Sequence, residues 1–362
     1  MTHFTHYIYQ WYDQNQRALP WRSTRDPYLI WVSETILQQT RISQGLPYYH
    51  RFVGRFPDIH SLAAAPEDEL MKMWEGLGYY SRARNMHAAA RMVVNEMGGI
   101  FPQEYENLRR LKGVGNYTAA AVASIAFGKP YPVIDGNITR LFSRYFGILE
   151  PADTPKGKNT LAGKTREAMN HSDPGYHNQA MMEFGALCCV PKNPSCHDCL
   201  LKDSCFAFLN GMTGLLPLKN KKIARRIRRF YFYLLENKEN IIIEKRENAD
   251  IWRNLYQLPL LEADEDLADA AILSNYLTRE LLAGEKPAVQ KISNTLRHEL
   301  THQIIRAKFV RFKMPKLKAS GNRIIINKKE IHKFAFPVLV RIILQERLTN
   351  KHHVFEKKKS LQ

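Results

Sequence analysis

The stretch Leu111-Lys-Gly-Val-Gly-Asn-Tyr-Thr-Ala-Ala120, followed by Val133-Ile-Asp-Gly-Asn137, governs how the rest of the chain is read. Gly113-Val114-Gly115 between two helix-forming segments makes a tight hairpin, because glycine adopts left-handed backbone freely and leaves neighbouring peptide N–H groups uncovered. At a helix N-terminus such N–H groups hold an anion, for example a phosphate. A carboxylate, Asp135, comes 20 residues after Gly115. An anion grip with a nearby acid suits chemistry on a nucleic acid. The alternative is an ordinary helical turn with a surface Asp, since short glycine motifs recur by chance.

Charge favours the first reading. The 362 residues carry 53 Lys and Arg against 35 Asp and Glu, a formal charge of +18. Neutralising phosphates releases condensed counterions, so such a chain gains sequence-independent affinity for nucleic acid. With 44% hydrophobic and 24% charged residues it reads as globular, and its length allows two domains with separate cores. The sequence has neither an apolar run of membrane length nor a basic-then-apolar N-terminal signal, so a cytoplasmic, nucleoid-associated protein without a membrane partner is expected.

Upstream, Asp26-Pro27 pairs an N-cap with Pro at the first helical position, which predicts a helix from Tyr28 through Thr40. Glu34 lies four residues after Ile30 and three before Leu37, on a face shared with apolar side chains. A carboxyl there is desolvated, which disfavours its charged form and lets it donate a proton near neutral pH. A Glu at the edge of the stripe, reaching solvent, is the alternative. Asp135 follows Pro130 and Pro132 at the start of another helix, where the dipole favours the ionised carboxylate. One neutral and one charged carboxyl would supply an acid together with a base or nucleophile.

Other groups suit a nucleic-acid partner. Gln38, Gln39 and Thr40 form a polar run whose amides can enter a base stack or bond base edges. Gly76-Leu-Gly-Tyr-Tyr-Ser-Arg-Ala-Arg84 is a turn offering Tyr79, Arg82 and Arg84 for stacking and phosphate binding, or a structural Tyr pair with solvated Arg. Trp21 and Arg22, after aromatic residues at helical spacing from Tyr7 to Tyr12, read either as core filler or as a pair that stacks on an extruded base.

Cys189, Cys196, Cys199 and Cys205 fall within 17 residues, with one Cys-x2-Cys and two outriders. That spacing suits a 4Fe-4S cluster better than a zinc ribbon, which uses two such knuckles. Cys188 is left over, as a buried free thiol or a substitute ligand. Residues 210–228 read as a basic linker, with seven Lys and Arg between Lys219 and Arg229 and no acid among them. Beyond it the period switches to two: strands are expected at Phe230–Glu236, Ile241–Arg246, Ala307–Phe312 and Arg323–Ile326, with helices near 265–282 and 335–346. The expected organisation is an all-α domain over 1–209 with its cysteine loop at 189–205, the linker, an α+β domain over 229–346 and a frayed tail at 347–362.

Together, Leu19-Pro-Trp21, Ser33-Glu-Thr-Ile-Leu-Gln-Gln-Thr40, Gly76-Leu-Gly-Tyr-Tyr80, Gly113-Val-Gly115, Asp135-Gly-Asn137, Asn178-Gln-Ala-Met-Met182 and the cysteine loop resemble the MutY family of adenine DNA glycosylases, of the helix-hairpin-helix superfamily. The resemblance runs from about Trp11 to at least His302. It implies a monomer that excises adenine opposite 8-oxoguanine or guanine from double-stranded DNA in base excision repair, with Glu34 as acid and Asp135 stabilising or attacking the sugar cation. It further implies that Tyr117 and Asn137 lie beside the sugar. Trp21, Arg22, Leu37, Gln179 and Met182 would line the adenine pocket, while Gln39 and Tyr79 would fill the gap in the duplex. The related endonuclease III-like glycosylase/lyases carry a Lys where this chain has Tyr117, and a phenol forms no imine. The C-terminal part resembles the Nudix-like domain that reads the opposite base. Leu300-Thr301-His302 stands where family members carry Phe-Ser-His, and Arg279-Glu280 is followed by Leu-Leu-Ala-Gly instead of a metal-binding Glu-rich helix. A non-catalytic DNA-binding protein of the same fold would have lost Glu34 or Asp135; both are present.

Overall fold

The computed structural model describes residues 3–220 and 224–348, apart from 283, 286 and 288. The chain forms two compact units, Met1–Ala65 with Arg84–Lys222, and Pro66–Ala83 with Ile223–Gln362.

The helices run α1 His3–Asn15, α2 Pro27–Leu37, α3 Ile42–Arg55, α4 Ile59–Ala64, α5 Glu67–Met73, α6 Ser81–Glu96, α7 Tyr105–Arg110, α8 Asn116–Phe127, α9 Gly136–Phe146, α10 Pro155–Glu167, α11 Pro174–Leu187 and α12 Phe206–Leu209. The first unit is organised around α8, which packs against α2, α7 and α11. Its Ala-rich sequence explains this: Thr118 to Ile125 are all buried, and small side chains let neighbours approach from every side. A Cβ on Gly175 of α11 would lie only 3.0 Å from backbone atoms of Ser124 and Ile125, so this glycine sets the α8–α11 distance.

As expected, Asp26 caps α2 by accepting from Tyr28 N–H at 2.8 Å, with Pro27 at the first turn. The helix ends earlier than its polar run suggests, however. Gln38 leaves the helix at ψ 117° and Gln39 is left-handed at φ 59°, so Gln38 to Thr40 form a turn.

The second unit is a mixed sheet. Its strands are β1 Arg226–Glu236, β2 Asn240–Lys245, β3 Tyr256–Gln257, β4 Leu260–Ala263, β5 Val289–Ile292, β6 Leu296–Glu299, β7 Gln303–Lys313 and β8 Arg323–Asn327, with α13 Asp269–Ser274, α14 Tyr276–Leu282 and α15 Val338–Leu348. The order β3-β2-β1-β7-β5 is extended by β4 on β1, β6 on β7 and β8 on β2. Only the β1–β7 pair is parallel among the described residues, running in register from Arg226↔Gln303 to Glu236↔Lys313. Alternation along β1 sends Tyr231, Tyr233 and Leu235 into a core shared with Ile272, Leu277 and Leu281 of α13 and α14. Phe230 and Phe232 turn the other way, onto Trp252 and Phe309.

The region expected to be a basic linker is more ordered than its composition suggests. Leu218 O accepts from Ala152 N–H at 3.0 Å, and Leu216 O from Arg144 Nε at 3.1 Å, so the chain to residue 220 is tied to the helical unit. Strand β1 already begins at Arg226. Arg228 is buried and paired with Asp250 and Glu262, both at 2.6 Å, because carboxylates distant in sequence supply the counter-charge missing locally. The tail expected from residue 347 starts later, since α15 runs through Leu348; residues 221–223 and 349–362 lie outside the described residues.

Candidate active site

Four helices, α2, α8, α9 and α11, bring the candidate chemistry together. Glu34, on the buried face of α2, is 6% exposed. Tyr117, in the first turn of α8, donates its hydroxyl to Glu34 Oε2 at 2.5 Å and lies 3.6 Å from Met182 Sδ on α11. Burial pushes the Glu34 carboxyl up to about 7; the Tyr117 bond opposes this, nearby Asp135 adds to it, and Arg22 opposes it. Burial also raises the Tyr117 phenol well above its ordinary range, so it remains a donor at neutral pH. The desolvated acid expected from helical spacing is therefore present.

Asp135 caps α9. Its Oδ1 accepts from Ile138 N–H at 2.7 Å and its Oδ2 from Asn137 Nδ2 at 2.8 Å. The helix start favours the ionised carboxylate, but burial pushes its pKa up, and the Ile138 and Asn137 donors and the Arg140 charge only offset that rise in part. Desolvation, invisible in the local sequence, outweighs the cap. The asymmetry with Glu34 still stands on geometry: both Asp135 oxygens have donors that favour the anion, whereas among the described residues Glu34 accepts from Tyr117 alone.

Behind Asp135 the loop is fixed from two sides. Buried Asn178 of α11 accepts from Val133 N–H at 3.1 Å and donates to Tyr131 O at 2.9 Å and Ser124 Oγ at 2.8 Å. Arg140 donates to Asn137 Oδ1 at 2.9 Å, Gly185 O at 2.6 Å and Cys189 O at 2.6 Å. A Cβ on Gly185 would come within 2.9 Å of Asn137, so this glycine is what lets α11 approach the start of α9.

Next to Met182 on α11 stands a residue that sequence reading missed. Glu183, 1% exposed, takes Arg17 and Arg22 together, with closest N–O distances of 2.6 and 2.7 Å. Burial alone would raise Glu183, yet the two guanidiniums hold it down to about 2. Its partners lie more than 160 residues away, so no local signal marked it. Arg22 also sits 5.5 Å over the Tyr12 ring, and Tyr12 donates to Gln179 Oε1 at 3.2 Å. Trp21 is buried edge-on to Tyr49 and Leu37 packs toward Gly45, where a Cβ would meet it at 2.8 Å. Arg22, Gln179 and Met182 thus gather along α11, while Trp21 is anchored in the core beside them.

Groups expected to face nucleic acid divide. In the hairpin, Val114 is the buried anchor while Gly113 and Gly115 are exposed. Gly113 has φ 77° and faces Asn85; Gly115 caps α8 with open space around it, so a ligand can reach the helix N-terminus. Exposed Gln39 and Tyr79 both have positive φ, 59° and 46°, a strain that persists only where surroundings enforce it. Gln38, by contrast, donates to Thr118 Oγ1 at 3.1 Å, bracing α2 on α8, and Thr40 Oγ1 bonds Gln38 O at 3.4 Å. Arg82 is buried. Its guanidinium lies over Trp74 and Tyr79 and points to Gly78 O at 3.3 Å, so it supports the Gly-Tyr-Tyr turn from behind and is not presented to phosphate. Arg84 is partly buried on α6. In the same unit as Tyr79 and Arg82, Leu300 to His302 form the tip between β6 and β7, with Thr301 and His302 exposed.

Cys189, Cys196, Cys199 and Cys205 line one small cavity together with Cys188, Arg144, Leu141 and Phe184. Arg144 donates to Cys189 Sγ at 3.4 Å and to Val190 O at 2.8 Å. Among the described residues no three His, Cys, Asp or Glu side chains close on a single-ion position, and no helix is long and apolar enough to cross a membrane.

Residues 32–165 match the family described as HhH-GPD superfamily base excision DNA repair protein, and residues 230–346 match the NUDIX domain. The chain is 35% identical over 301 residues to the adenine DNA glycosylase of Buchnera aphidicola subsp. Baizongia pistaciae, covering 82% of each chain. It is 40% identical over 216 residues to the adenine DNA glycosylase of Homo sapiens, covering 57% of this chain and 40% of that one. Among solved structures, a thermostable thymine-DNA glycosylase superposes with TM-score 0.54 at 29% identity, covering 57% of this chain and 95% of that one. A non-covalent endonuclease III–DNA complex gives TM-score 0.51 at 21% identity, covering 58% and 95%, which speaks to fold alone.

Proposed function

Because this chain belongs to the adenine DNA glycosylase family, we propose that it binds double-stranded DNA as a monomer and hydrolyses the N-glycosyl bond of adenine mispaired with 8-oxoguanine or guanine, without lyase chemistry. The observation that carries this reading is the buried Glu34 carboxyl, bonded by Tyr117 and close enough to the capped Asp135 to feel its charge.

Adenine leaves poorly as an anion, so the reaction needs an acid. Glu34 in its neutral form donates its proton to adenine N7. The C1′–N9 bond then breaks with its electron pair passing into the purine, and the sugar becomes an oxocarbenium-like cation. Asp135, its two oxygens oriented by Ile138 and Asn137, meets that cation as counter-charge or as transient nucleophile. Water completes either route by adding to C1′ and giving up a proton to a carboxylate. Adenine and an abasic sugar are the products in both cases. Arg22, Gln179 and Met182, with Trp21 and Leu37 behind them, hold the extruded base; a base inside the stack is out of reach. The N–H groups after Gly113 and Gly115 hold backbone phosphate, Gln39 and Tyr79 fill the vacated space, and Leu300 to His302 read the opposite base.

The cysteine set fits an iron–sulfur cluster: the four spaced thiols line one cavity, with Cys188 beside them, and a guanidinium N–H donates to Cys189 Sγ. Cys189, Cys196, Cys199 and Cys205 would hold a 4Fe-4S cluster, which supplies rigidity and charge to the loop beside Arg140 and Arg144. Iron and sulfide analysis of purified protein is expected to give about four of each per chain; a zinc content in their place overturns the assignment.

The functional reading is tested by single-turnover assays on duplexes bearing adenine opposite 8-oxoguanine or guanine, with uracil and oxidised-pyrimidine duplexes as controls. Adenine release from the first two, with no covalent adduct trapped by borohydride, is expected. Release from oxidised pyrimidines with a trapped imine would indicate the glycosylase/lyase alternative.

A further inference from the structure

The segment Pro66–Ala83 follows α4 and runs into the first turn of α6, yet it forms one compact unit with the C-terminal residues. Its acids account for this. Glu75 Oε1 accepts from Phe336 N–H at 2.8 Å, and Oε2 pairs with Lys72 Nζ at 2.8 Å, which itself donates to Phe334 O at 2.8 Å. Arg341 lies 3.8 Å from the same carboxylate, whose side chain is 9% exposed. Asp68 bonds Lys245 at 2.6 Å and Tyr256 OH at 3.2 Å, and Glu67 accepts from Asn254 Nδ2. Leu70 and Met71 of α5 and Trp74 at its C-cap are buried. In a chain of charge +18, these acids are directed at basic and amide groups of the sheet unit.

The turn that follows is stiff. Trp74 Nε1 donates to Gly78 O at 3.1 Å, Gly76 N–H to Tyr80 OH at 3.2 Å, and Arg82 backs the Tyr79 ring. At its tip Tyr79, 46% exposed with φ 46°, shares a hydroxyl hydrogen bond with Thr301. We propose that Glu75, Asp68 and Glu67 are positioning residues that fasten the segment bearing the Gly76–Tyr80 turn to β2, β3 and the residues leading into α15, so that Tyr79, bonded to Thr301, and the Leu300–His302 probe are set as one rigid feature. Resting on the reading above, this couples insertion of Tyr79 into the duplex to recognition of the opposite base.

The test is the ratio of single-turnover rates for adenine opposite 8-oxoguanine and opposite guanine, in Glu75→Ala, Glu75→Gln and the Glu67→Ala/Asp68→Ala double variant, each checked for cooperative unfolding. Glu75→Ala is expected to lower the ratio about fivefold or more while the rate opposite guanine stays within about twofold. Glu75→Gln keeps an acceptor for Phe336 N–H and is expected to recover most of the ratio. Should Glu75→Ala fail to fold, the double variant, on more exposed positions, is read in its place. An unchanged ratio in folded variants of a discriminating enzyme overturns this inference alone; a wild-type enzyme with equal rates on both duplexes overturns the recognition reading and this coupling with it.

Discussion

Glu34→Gln is expected to reduce single-turnover adenine release by roughly three orders of magnitude, within the range for loss of a positioned general acid, while duplex affinity changes little. Gln preserves the shape and still accepts from Tyr117 OH, so the pocket survives, but it has no proton of suitable acidity for N7. The same substitution is expected to stabilise the free protein. Glu34 has its pKa raised by burial from 4.5 to about 7, so between those values the folded state binds more protons than the unfolded one. Stability attributable to this group therefore falls as pH rises from about 4.5 to about 7 and stays reduced above. Replacing it with a neutral amide removes a penalty of up to about 3 kcal/mol at pH 8, read as a raised Tm that shrinks toward pH 5. Substantial residual turnover in this variant would remove Glu34 from the acid role.

Asp135→Asn is expected to lower the rate by about 10²-fold or more, the range for removing a preorganised charge from a buried site. The variant separates charge from capping. Asn is as good an N-cap as Asp, so the bond from Ile138 N–H survives and α9 keeps its start. What is lost is the negative charge and the partner of Asn137. Asn137 donates Nδ2 to Asp135 Oδ2 while its Oδ1 accepts from Arg140, so it cannot flip to accommodate a second amide without abandoning Arg140. One bond is left unmade, a local cost of about 1 kcal/mol. Kinetics close to wild type would defeat the two-carboxylate mechanism.

Features that depend on neighbours in sequence were legible before the structure. Asp26-Pro27 begins α2, Ile30, Glu34 and Leu37 share a face, and Gly113-Val-Gly115 precedes a helix. The long strands β1, β2, β7 and β8 fall where period-two runs were expected, whereas β3 to β6, two to four residues each, are too short to show a period. Legibility ended where distant groups decide. Glu183 meets Arg17 and Arg22 across the fold, Arg82 turns inward because Trp74 and Gly78 receive it, and Asp135 is raised by burial that its helix start does not reveal. The membership of Pro66–Ala83 in the C-terminal unit likewise rests on Lys245, Asn254 and Phe336, none of them near in sequence.

The most direct measurement is the single-turnover rate of adenine release from an adenine:8-oxoguanine duplex as a function of pH. A neutral Glu34 and an ionised Asp135 are required together, and the two carboxyls interact, so the profile reports apparent values of the pair. The rate is expected to fall about tenfold per pH unit above a midpoint near 7 as Glu34 ionises, to decline again in acid as Asp135 takes up a proton, and to lose the alkaline limb in Glu34→Gln. A wild-type rate that stays level from pH 6 to pH 9 would contradict a carboxylic acid as the proton donor.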